Sequence, residues 1–168
     1  MTANQFGAAF LGIALQLAIP TSNRSLLLIT SIFSVVFLLF LNHSVMWEEG
    51  AKSRIRADAG REKYSPLTGL KIGIAASLPN IILGVIVAVT FFFNRLTEIE
   101  WIGTISAFMK AIAFLWQGMF IGIVVTIDAS NHYLYLLTPL PVILAAFLSY
   151  WIGLRQWTLG KVFKLKKK

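Results

Sequence analysis

At 168 residues the chain is 57% apolar and only 13% charged, well above the roughly 45–50% apolar share of soluble domains, which excludes a water-soluble globular fold. Its net charge of +8 does not point to nucleic acid, because the basic residues flank apolar blocks, the pattern of membrane topology and anionic lipid contact. Cysteine is absent, which removes disulfides, thiol nucleophiles and thiolate sites. His43 and His132 lie far apart in sequence, so no metal and no other cofactor is expected.

The first apolar block, Phe6 to Ile19, is short for a span and reaches that length only with Ala3 to Gln5, giving a first span over 3–19. No Lys or Arg precedes it, so a retained helix is expected and not a cleaved signal peptide. Pro20 to Ser25 reads as a turn, and a second span follows over 26–46.

The segment 47–69 changes character, with Glu48, Glu49, Lys52, Arg54, Arg56, Asp58, Arg61, Glu62 and Lys63 close together. Glu48 with Lys52 and Arg54 with Asp58 are i,i+4 pairs. They predict that the second helix continues into water until Gly60 ends it. Each carboxylate has a basic neighbour, so the segment reads as a solvated, charge-balanced helix and not as a catalytic or metal-binding cluster.

The third span, 70–93, contains Pro79 beside Asn80. Proline removes the backbone bond to the carbonyl of Ala75 and is expected to kink the helix. The Asn80 amide could serve a substrate pathway of the transporter kind, but bonding to the freed carbonyl or a neighbouring helix is the preferred reading. A short polar loop with Arg95, Glu98 and Glu100 follows.

The block 102–127 is interrupted by Lys110 and Gln117. Gly103, Ser106, Lys110, Ala113 and Gln117 recur at helical spacing and form one small or polar face. Lys110 is expected to snorkel and to pair with Glu98 or Glu100. The last span covers 134–157 and opens with Pro139 and Pro141. A basic tail over 158–168 follows, where Lys161, Lys164, Lys166, Lys167 and Lys168 are expected to contact anionic lipid.

Basic residues near membrane ends gather on the cytoplasmic side, which places both the 47–69 loop and the tail there. Two points on one side are separated by an even number of crossings, yet three apolar blocks lie between them. The block 102–127 is therefore expected not to cross. It would lie at the outer interface or re-enter the membrane, with Trp101 and Trp116 as interfacial anchors. The alternative is five spans with the tail outside. Gly69 with Gly73 and Gly118 with Gly122 have the small-xxx-small spacing of close helix contact, within the monomer or between copies.

The string Trp47 to Gly60, WEEGAKSRIRADAG, followed by Gly69-Leu-Lys-Ile-Gly73 and Pro79, resembles a group of uncharacterised small polytopic membrane proteins of low-GC Gram-positive bacteria. Tyr150-Trp-Ile-Gly153, Leu159 and the terminal lysines are also similar. The likeness covers about half the chain, and its motifs set topology. It implies a bacterial plasma membrane and a cytoplasmic tail, and it brings no activity, substrate or site residue.

The expected fold is therefore an all-α membrane protein of about four transmembrane helices plus one interfacial or re-entrant helix, in a single membrane domain over 1–168. H-E-x-x-H and G-x-S-x-G do not occur, so no enzyme is expected. The leading functional expectation is an accessory protein or subunit held in a membrane assembly by helix packing, with a membrane-protein partner or self-association. A small transporter or channel with a pathway near Pro79, Asn80 and Lys110 is the alternative.

Overall fold

The computed structural model describes residues 1–20, 23–63, 65–97 and 99–156. The basic tail, with Lys161, Lys164, Lys166, Lys167 and Lys168, lies outside them. The described residues form α1 (Thr2–Leu17), α2 (Arg24–Asp58), α3 (Thr68–Leu96), α4 (Glu100–Gln117), α5 (Ile121–Asp128) and α6 (Pro139–Leu154), with 3₁₀ turns at Gly118–Phe120 and His132–Leu136. No strand occurs among them.

The side-chain distribution is inverted relative to a soluble bundle. Large apolar residues such as Phe6, Phe10, Phe40, Phe108 and Leu115 point outward, whereas Gln5, Ser31, Asn42, Asn80, Ser106 and Gln117 are buried. Water offers no reason for that arrangement. In lipid, apolar side chains gain nothing by turning inward, and small and polar residues become the groups that join helices. Four helices, Arg24–Asp58, Thr68–Leu96, Glu100–Asp128 and His132–Leu154, are long and apolar enough to cross a membrane, which fits a multi-pass membrane protein.

α2 begins at Asn23, whose side chain accepts from the Leu26 N–H at 3.2 Å, as an N-cap should. At about 1.5 Å per residue its 35 residues reach some 50 Å, far beyond a ~30 Å hydrocarbon core. The excess is the charged stretch, held by Glu48–Lys52 at 2.7 Å, Arg54–Asp58 at 3.0 Å and Arg56 bridging Glu49 and Glu62 at 3.0 Å each. Lys52 holds the Glu48 carboxyl below its ordinary value, first through its hydrogen bond and then through its charge. Gly60, at φ 70°, closes the helix. Its N–H donates to Ala57 O, and the Arg61 N–H donates to Arg56 O, the paired bonds of a glycine-terminated helix end.

α1 runs antiparallel to α2, with Asn4 facing Asn42 and Gln16 facing Ser31. Its 16 residues are fewer than a full span requires, yet it lies alongside the apolar part of α2 from near Met46 to its start. α3 runs back from the connection over 59–67, α6 packs along it with Gly69 against Tyr150 and Gly73 against Ala146, and the 132–136 turn meets it with Tyr135 against Gly84. Thus α1, α2, α3 and α6 together with the turn before it run between a loop end, where the 59–67 connection lies, and an opposite end. Gly153 meets Trp47, so α6 finishes at the loop end.

The block 102–127 is not one straight helix. α4 leaves the far end beside α3, with Gly103 near Asn94, and descends until Gln117 reaches the backbone of Asn80. There the regular helix breaks, Gln117 adopting φ −111° and ψ 19° before the 3₁₀ turn. α5 then turns back, because Gly122 rests on Leu27 and Ser31 in the first two turns of α2. Asp128 lies four residues before His132, which stacks on Phe91 at 4.4 Å. The arm begins and ends at the same end of the bundle.

Three expectations need correction. The small or polar face of α4 does not lie along an interface; Ser106, Ala113 and Gln117 are buried, so the face packs inward against α3 and the core. Trp116 is not an interfacial anchor, because it adjoins Gln117 at the depth of Asn80 and its Nε1 is buried. The final helix also starts later than residue 134. Proline disfavours helix in the residue before it, so residues 132–136 form a 3₁₀ turn and α6 begins at Pro139. Trp157 lies outside the described residues.

Candidate functional site: a buried amide network at mid-depth

Asn80 is fully buried and sits at the centre of the polar groups. α3 continues through Pro79 without leaving the α-helix, and the next residue, Asn80, faces Gln5 of α1. Gln5 and Asn80 exchange two hydrogen bonds: the Gln5 amide donates to Asn80 Oδ1, and Asn80 Nδ2 donates to Gln5 Oε1 at 2.9 Å. Side-chain amides carry both donor and acceptor, so this face-to-face pair satisfies both at once.

Gln117, at the break below α4, joins from the third side. Its Nε2 donates to the Asn80 carbonyl at 3.1 Å, and its Oε1 accepts from Thr138 Oγ1 at 3.0 Å. Gln5, Asn80, Gln117 and Thr138 therefore tie α1, α3, the arm and the start of α6 together. Each is at most 5% exposed. At that depth no water competes, and an amide left unpaired costs more than it would at a surface.

A second cluster holds the returning limb. Ser31 Oγ accepts from the Gly122 N–H at 2.8 Å and from Gln16 Nε2 at 3.1 Å, and Gln16 Nε2 also approaches Gly118 O at 2.7 Å. These contacts explain the two arm glycines. A Cβ at Gly122 would lie 2.0 Å from the Leu27 carbonyl oxygen, and one at Gly118 would lie 2.4 Å from Ile13. Gly69 and Gly73 play the same part against α6, so all four glycines of the small-xxx-small pairs make contacts within the chain.

Lys110 is apart from this network. Its Nζ stands 5.9 Å from the centroid of Phe91, over the same ring that Arg95 Cζ approaches at 5.7 Å. Among the described residues it makes no ion pair, so the expected partnership with Glu100 is not formed; aromatic attraction from α3 takes its place. Glu98 lies outside the described residues.

Gln5, Gln16 and Ser31 were not singled out from the sequence, and neither was the contact of His43 Nδ1 with Ser149 Oγ at 2.8 Å, which links α2 to α6. A histidine and a serine 106 residues apart carry no joint signal in the sequence. Ser77 Oγ, Ser106 Oγ and Trp116 Nε1 are buried with no hydrogen-bond partner among the described residues. Beside the arm, a cavity of about 200 Å³ lies between α2, α5 and α6, lined by Val35, Phe120, Val124, Leu137 and Pro141 among others. Its lining is almost wholly apolar, which suits a lipid chain or a neighbouring helix.

Comparison with protein-family models, with curated proteins and with solved structures returned no match.

Proposed function

We propose that this chain is a non-enzymatic accessory protein or subunit of a membrane assembly, residing in a bacterial plasma membrane. In this reading α1, α2, α3 and α6 cross the bilayer, α4 and α5 form a re-entrant arm from the outer side, and the loop end and basic tail are cytoplasmic. The resemblance of the 47–60 segment to small Gram-positive membrane proteins and the positive-inside rule support that orientation.

The observation that carries the reading is the closure of the amide network. Gln5, Asn80 and Gln117 spend their hydrogen-bonding groups on one another, on Thr138 and on a backbone carbonyl. Groups so engaged clamp helices and are not offered to a solute. The outward faces, with Phe6, Phe10, Phe33 and Phe40 exposed, are free to meet lipid or a partner helix. A stoichiometric partner is expected to co-purify in mild detergent, and solute flux by the purified chain alone in liposomes would overturn the proposal.

A small transporter or channel is the second reading. It is favoured by the helix break at Gln117–Phe120, which faces Pro79 and Asn80 at mid-depth, because broken helices meeting there are how transporters expose backbone groups.

The topology is tested with single cysteines at Ser130, Arg61 and Leu165 and an impermeant maleimide. Only the Ser130→Cys variant is expected to label on intact cells, the other two requiring permeabilisation. Labelling of the Arg61 and Leu165 variants from opposite sides would establish an odd number of crossings and defeat the arrangement.

A further inference from the structure

Phe91 collects an unusual set of neighbours at the arm end of the bundle. Arg95 Cζ lies 5.7 Å and Lys110 Nζ 5.9 Å from its centroid, His132 stacks on it at 4.4 Å, and Tyr133 meets it edge-on at 5.5 Å. These groups come from three separate elements, α3, α4 and the 3₁₀ turn before α6. Two like charges brought to one ring repel each other, most strongly at a half-lipidic surface where the effective dielectric is low. Cation–π attraction offsets part of that repulsion, and an anion between the two cations would remove it.

The described carboxylates do not supply that anion. Asp128 is engaged by the backbone N–H of Ser130 at 2.9 Å and by its hydroxyl at 2.6 Å. Neither Asp128 nor Glu100 pairs with Arg95 or Lys110 among the described residues. Lys110 is half-buried on α4, and Arg95 is exposed near the end of α3. Arg95 adds a planar fork of donors, the geometry that matches phosphate oxygens.

We propose that Arg95 and Lys110, held over Phe91 with His132 beside them, form a binding site for a phosphate-bearing anion at the membrane surface, an anionic phospholipid headgroup. The site lies at the opposite end of the bundle from Gly153, near which the described residues stop.

Native mass spectrometry of the full chain, released from micelles containing phosphatidylglycerol or phosphatidylcholine, tests this. A tail variant with Lys161, Lys164, Lys166, Lys167 and Lys168 changed to Gln removes the other basic cluster from the measurement. In that background, retention of phosphatidylglycerol above phosphatidylcholine is expected. Arg95→Gln with Lys110→Gln should lower it about thirtyfold, since each basic group near an anionic surface contributes about fivefold.

Arg95→Lys with Lys110→Arg keeps both charges and should retain the lipid. Arg95→Gln alone changes an exposed side chain and should give an intermediate loss, so the result does not depend on the fold tolerating a change at Lys110. Equal retention by all variants, or no preference between the two lipids, would overturn the site and leave only cation–π contacts. Millimolar inorganic phosphate separates the sources. Site-dependent retention that survives it belongs to the lipid, and displacement assigns the same phosphate chemistry to a soluble anion and overturns the headgroup.

Discussion

Alanine at Gly50 or Gly153 is expected to lower stability by about 1–3 kcal/mol each, the usual cost of forcing atoms into a packed contact. A Cβ at Gly50 would lie 2.2 Å from the Tyr150 carbonyl oxygen, and one at Gly153 would lie 2.1 Å from that of Trp47. Both obstacles are backbone atoms, so no side-chain rotation relieves them and α2 must separate from α6. Unfolding of each variant in mixed micelles by a denaturing detergent, followed by loss of helicity, measures the effect. Gly7 is the internal control, because nothing lies within 4 Å of a Cβ there. Gly7→Ala should be neutral or slightly stabilising through better helix propensity. Equal stability for the Gly50, Gly153 and Gly7 variants would refute the packing described between α2 and α6.

The second large effect is at Asn80. Asn80→Leu removes both partners of the Gln5 amide and leaves a buried donor and acceptor unpaired, at a cost of about 1–3 kcal/mol. It leaves the Gln117 bond to the residue-80 backbone carbonyl in place. Gln5→Leu alone should cost a similar amount, and the double variant clearly less than the sum, since replacing both members of a polar pair leaves no orphan. Strict additivity in that cycle would mean the pair contributes nothing jointly. Preserved stability with abolished cellular function in Asn80→Leu would instead favour the transport reading over the scaffold reading.

Much of this architecture could be read from the residues, and its gaps have identifiable causes. The parity of basic segments led to the expectation that the block at 102–127 does not cross, and the structure interrupts that block at Gln117. Asn80 and Gln117 stood out because an amide inside an apolar run is costly unless paired. Their partner Gln5 did not, because near the start of a short helix it looks like an interfacial extension, and a contact 75 residues apart leaves no periodic trace. Gly50 escaped notice for another reason. It lies among charges, where glycine reads as a helix breaker, yet α2 continues through it and α6 lies directly against it. Lys110 was conspicuous as a charge, whereas Phe91 was one of many aromatics with nothing local to mark it as a platform.

The arm also changes the outline of the molecule. Near the loop end the described helices present four cross-sections, from α1, α2, α3 and α6. Toward the other end α4 and α5 are added, with the 132–136 turn leading into α6. The described helices are thus more numerous at one end of the bundle than at the other, and together they have the form of a wedge. In the proposed arrangement, copies packed side by side would tilt their neighbours and favour a lipid sheet bent toward their narrow ends.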